Sequence, residues 1–155
     1  MKKIILLGVA VLTSCSFLPV IGDYSNAIVG SWIRVDHYPS ETSFTEVEYL
    51  PNGITCSYTL ALDNQGVMSA KFYSSRWYVE GNKIELEVLS SNSEYVPVGI
   101  RITDEVISVS RDEMTLNMIT PLDVSRNDNH YRIVQSDAGR ICDVVEAYNK
   151  RQQLD

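Results

Sequence analysis

Apolar and polar positions alternate along most of this chain with a period of two, the spacing of strands rather than of helices. In "ITCSYTLAL" (54–62), Ile54, Cys56, Tyr58, Leu60 and Leu62 share one face, and Thr55, Ser57 and Thr59 share the other. That pattern is a strand with one buried side. "KIELEVL" (83–89) sets Ile84, Leu86 and Val88 against Lys83, Glu85 and Glu87, and "MTLNMI" (114–119) gathers Met114, Leu116 and Met118 on its apolar side. Further extended segments are read at 28–37, 43–50, 67–80, 95–103, 106–110 and 130–135. Pro51-Asn52-Gly53, Asp63 to Gly66, Gly81-Asn82, "SSNSE" (90–94) and "SRNDN" (125–129) read as the turns and loops between them. Pro97 suits a strand's first residues, and Asp104-Glu105 and Asp112-Glu113 read as turn polarity. The expectation is an all-β domain of about eight to ten short strands, an antiparallel barrel or a sandwich. The period changes only near the end. After Ser136, a candidate N-cap, Ile141, Val144, Val145 and Tyr148 recur at helical spacing, predicting one C-terminal amphipathic helix over 137–152.

The N-terminus has a different texture. Lys2 and Lys3 precede an uncharged run, Ile4 to Leu12, and Thr13 and Ser14 are small residues ahead of Cys15. A cationic head, an apolar middle and small residues at a cut make a secretory signal. Leu12-Thr13-Ser14-Cys15 resembles the lipobox of bacterial lipoproteins. The resemblance implies that residues 1–14 are removed, that the Cys15 thiol carries a diacylglyceryl group and that the new amine is acylated. Several acyl chains, at about 0.8 kcal/mol per buried methylene, anchor firmly. Ser16, rather than Asp, implies the outer membrane by the same resemblance. The other reading takes 4–21 as a spanning helix, a bare minimum of length weakened by Thr13, Ser14, Ser16 and Pro19. Residues 15–27 would form an apolar tether, with Phe17, Leu18, Val20 and Ile21, and 28–155 the domain.

Among 155 residues there are 13 Lys and Arg against 20 Asp and Glu. Losing Lys2 and Lys3 leaves 11 basic residues and a net charge near −9. No basic cluster survives, which argues against nucleic acid as a partner. The acidity suits a basic protein or serves solubility.

Gly30-Ser31-Trp32 opens the first predicted strand of the domain, and "RWYVEGNKIEL" (76–86) reads as a hairpin with its turn at Gly81-Asn82. These two stretches resemble the lipocalin superfamily, in particular the lipocalin-like domains of small bacterial lipoproteins. The likeness spans residues 28–135. It implies a closed antiparallel barrel with Trp32 plugging one end, Gly30 allowing close approach, and a basic residue of the last strand over the indole. Arg132 is the candidate, with an outward surface charge as the other reading. The strands are short for a deep cup. Tyr58, Leu60, Leu62, Trp77, Val79, Leu86, Val88 and Leu116 would line the interior, either as ligand contacts or as a filled core.

An exported chain with Cys56 and Cys142 left over invites a bridge between the helix and a strand, as lipocalins often tie their C-terminal segment. Two buried thiols are the alternative. For chemistry the sequence offers little. His37 and His130 are the only histidines and lack metal-ligand spacing. Asp123, Asn127, Asp128 and Asn129 lack the spacing of a calcium-binding loop. No nucleophile or phosphate-loop motif is present. The expectation is therefore a non-enzymatic outer-membrane lipoprotein, without metal or cofactor, that binds a small apolar ligand. The alternative is a protein-interaction module, such as a lysozyme inhibitor or a subunit of an envelope complex.

Overall fold

Eight strands run β1 (Gly30–His37), β2 (Glu41–Tyr49), β3 (Ile54–Asp63), β4 (Met68–Glu80), β5 (Lys83–Ser91), β6 (Arg101–Val109), β7 (Glu113–Ile119) and β8 (Ser125–Arg132). Each pairs antiparallel with the next, and β8 returns to β1 to close a barrel. A short helix α1 (Ser25–Ile28) precedes β1, and α2 (Arg140–Gln152) follows β8. This is a computed structural model, and it describes residues 24–119, 125–134 and 140–152. The leader, Cys15, the tether before Tyr24, Asp123 and Ser136 lie outside the described residues.

Closure decides between barrel and sandwich: the strands run in meander order as an up-and-down barrel with a single C-terminal helix docked on it. The turns behave as their residues dictate. Gly81, at φ 63, makes the two-residue turn that pairs Glu80 with Lys83. Asp63 accepts backbone bonds from Gln65 and Val67 at 2.8 Å, closing the β3–β4 turn.

Three boundaries differ from the pattern reading. Residues 101–109 form one strand, so Asp104-Glu105 is mid-strand and not a turn. "SRNDN" is also strand, the first part of β8, rather than a loop. The 95–100 stretch, read as strand, joins β5 to β6 outside both. The first two errors share a cause: these strands point polar side chains into the barrel, so their alternation does not look like that of a half-buried strand.

The apolar packing forms two separate bodies. One plugs the barrel's closed end, with Ile28, Trp32, Tyr49, Trp77, Ile84 and Met114. Trp32 and Ile28 are fully buried, the Trp32 indole donates to the Ile28 carbonyl at 2.8 Å, and Tyr24 packs against the same body. The second lies outside the barrel, where Cys56 and Phe72 on β3 and β4 meet Ile141 and Val145 on α2. Val144, expected in the helix stripe, is about half exposed. Cys56 and Cys142 are disulfide-bonded across this contact, with Cα atoms 5.1 Å apart. The Glu48 carboxylate on β2 accepts from the first-turn amides of Ile141 and Cys142 at 3.2 and 3.5 Å, favourable for an acid at a helix N-terminus.

Candidate functional site: the barrel cavity

Above the plug the barrel holds a cavity of about 1070 Å³, at the upper end of the range of about 300–1,000 Å³ for small-molecule sites. It opens where Tyr38 and Tyr95, both exposed, stand at the rim. Lys71 lies there too, with its ammonium 4.6 Å from the Tyr95 ring centre.

Strand β3 is turned the opposite way from the expectation. Thr55, Ser57, Thr59 and Ala61 face the cavity, whereas Cys56 and Tyr58 lie under α2. Tyr58, Leu60 and Leu62 therefore do not line it, and Leu62 is exposed on the outer surface. Alternation reveals two faces but not which one looks inward. Here the helix supplies the apolar face with a partner on the outside. Trp77 belongs to the plug, edge-on to Tyr49 at 5.2 Å and donating to the carbonyls of Leu50 and Ile54. Val79 packs against the plug, and Val88 is buried away from the cavity. Of the eight candidates, Leu86 and Leu116 line the cavity.

Gly30 and Arg132 shape the closed end. The Arg132 guanidinium lies 4.1 Å from the Trp32 ring centre and donates to the carbonyls of Val29 and Ala27 at 2.8 and 2.7 Å. Gly30 has φ 131, and a Cβ there would run into that guanidinium.

An ionic network runs along the β1–β8 seam, from Arg34 in the cavity up to Arg126, which donates to the Tyr38 hydroxyl at the rim at 2.7 Å. On β1 and β8, Arg34 contacts Asp128 at 2.7 Å and Asp36 at 2.8 Å, while Arg126 contacts Asp128 at 2.7 Å and Asp36 at 3.4 Å. Backbone pairing between these strands covers only Trp32 with Arg132 and Ile33 with Tyr131. The four-residue network thus fastens the rest of the seam. Beside it, Asp104 on β6 and His130 on β8 are buried and line the cavity. No protein group bonds Asp104 Oδ1 or either His130 ring nitrogen. Burial pushes the Asp104 carboxyl up to about 7, partly offset by Arg34. Burial, then Arg34, pushes His130 down to about 4. Burial, and next Asp104, raises the hydroxyl pKa values of Tyr49 and Tyr73. Among the described residues no group of three or more His, Cys, Asp or Glu could hold a metal.

These two groups bend the stability curve in opposite senses. Asp104 holds a proton in the folded state that the unfolded chain releases near 3.8, so its contribution fades as pH rises toward 7. His130 stays neutral in the folded state while the unfolded chain protonates near 6.5, so its contribution fades as pH falls toward 4. Between pH 4.5 and 6 the two slopes should nearly cancel. Asp104→Asn should unmask a rise in stability with pH, and His130→Gln a fall, each of up to about 1.4 kcal/mol per pH unit. Urea unfolding of both variants at these two pH values measures this. Parallel slopes in the two would show that burial does not govern the pair.

The sequence reading missed Arg34, Asp36, Asp104 and His130. For three of them a signal was present: Arg34, Asp36 and Asp104 share the parity of an apolar plug or wall residue, as in Trp32-x-Arg34-x-Asp36 and Ile102-x-Asp104-x-Val106, whereas His130 shares its face of β8 with Arg126, Asp128 and Arg132 and carried no such signal.

A crystal structure of a lipocalin-like protein from Bacteroides uniformis is similar to this chain, with 14% sequence identity and a TM-score of 0.40. The match covers 68% of this chain and 97% of that one. No protein-family model matches the chain, and no curated protein matches its sequence.

Proposed function

We propose that this chain is an outer-membrane lipoprotein, anchored on the periplasmic face through acylated Cys15, whose barrel is a non-enzymatic binding module for one small amphipathic molecule. The cavity supports this reading more than any other observation: it is roomy, open at one end, walled in part by Leu86, Ile102, Leu116 and Met118, and charged at its base. A purely apolar ligand would leave that base without partners, at a cost of about 1–3 kcal/mol for each buried unbonded group. An occupant with both characters fits. The space inside the barrel also favours a ligand over the interaction readings, which a solid interior would have suited.

The protein should bind N-phenyl-1-naphthylamine, an uncharged fluorophore, saturably and with one site per chain. Thr59→Trp, which projects an indole into the cavity from β3, should abolish the signal without shifting the unfolding midpoint by more than a few degrees. Unsaturable binding, or binding that survives the indole, would remove the cavity from the reading. Mass spectrometry of envelope material should find the chain starting at an acylated Cys15; an intact Met1 with a free thiol would remove the anchor.

A further inference from the structure

We infer that the cavity is built for a molecule carrying a protonated amine, seated with its nitrogen against Asp104 and His130 and its apolar body toward the mouth. This rests on the binding-module reading and adds the chemistry of the ligand's head.

Hydrogen-bond inventory carries the argument first. Asp104 is 3% exposed and His130 4%, and Asp104 Oδ1, His130 Nδ1 and His130 Nε2 have no protein partner. An ionised carboxylate only accepts, and a neutral imidazole keeps one accepting nitrogen. The floor therefore has acceptors in surplus and asks for a donor. Charge inventory points the same way. Arg34 and Arg126 are engaged by Asp36 and Asp128, two cations against two anions. Above about pH 7, where it has lost its proton, Asp104 is an anion that this network does not balance. An anionic head would meet Asp104 with no uncommitted arginine beside it, since Lys71 stands at the rim over Tyr95. An ammonium both donates and neutralises, and the Tyr49 and Tyr73 rings that line the same cavity tolerate a cation.

Binding of an amine should then be coupled to the state of Asp104. The groups acting on it are Arg34 from β1, Tyr49 from β2, Tyr73 from β4, Glu85 from β5 and Asp128 from β8, while β7 presents uncharged Met118 opposite it. Burial raises its carboxyl so that it loses its proton at about pH 7. His130, near 4, does not change charge between pH 5.5 and 8.

The test is calorimetric titration of the full mature chain with 2-phenylethylamine, 2-phenylethanol and 3-phenylpropanoate, which share a body and differ in the head. At pH 8 the amine should bind at least about tenfold tighter than the other two. At pH 5.5, where the amine is still protonated, its affinity should fall about tenfold or more. Asp104→Asn should erase the preference for the amine while 2-phenylethanol still binds; the pH series on the unaltered chain stands in if that variant does not fold. Equal binding of amine and alcohol, tightest binding of the carboxylate, or an amine preference indifferent to pH would overturn the inference and leave the binding module intact. If none of the three binds, the inference and the binding module both fall.

Discussion

Reducing the Cys56–Cys142 bridge, or replacing Cys142 with Ser, is expected to lower stability by roughly 4–5 kcal/mol. The bridge joins positions 86 residues apart, and closing a loop of that length removes about this much freedom from the unfolded chain. In a chain of this size the loss corresponds to a fall in Tm of roughly 15 °C. The folded state suffers as well. Helix α2 touches the barrel through a small apolar body, Ile141 and Val145 with Tyr148 against Phe72, and a helix of 13 residues is marginal without tertiary support. Its release would uncover Phe72 and Tyr58. Thermal unfolding with and without a phosphine reductant, alongside thiol titration, measures this. An unchanged Tm with both thiols free would show that packing alone holds the helix.

Trp32→Ala should cost about 3–5 kcal/mol, the range for deleting a large buried aromatic side chain. Three contacts go together: the fully buried ring, its bond to the Ile28 carbonyl, and the seat of the Arg132 guanidinium. The loss of the cation–π contact adds about 0.5–2 kcal/mol. Trp32→Phe keeps a ring beneath the guanidinium and should cost less than half as much. Urea unfolding compares them. Equal losses in the two variants would mean that the ring's place under Arg132 contributes nothing.

The parts legible in the sequence are those where one physical requirement dominates. Ile84, Leu86 and Val88 against Lys83, Glu85 and Glu87 gave a strand because one side meets apolar neighbours and the other water. The C-terminal helix was visible because Ile141, Val145 and Tyr148 keep helical spacing, and the bridge because Cys56 and Cys142 are the two cysteines left besides Cys15. The interior was not legible, because alternation carries no sign. On β3 the apolar residues face α2 and the hydroxyl residues face the cavity. On β6 and β8, Asp104 and Asp128 sit where an apolar residue was assumed, so those strands read as turns and loops. Their roles depend on neighbours from β1, which lie far away along the chain.

The apolar mass that makes this chain fold sits beneath the pocket and behind its wall, in the plug and under α2. Residues such as Ser43, Thr45, Ser57 and Thr59, which face the pocket, belong to neither. A lineage can therefore swap those side chains to favour a new guest while the scaffold keeps its fold. In such a container, taste and endurance evolve on separate accounts.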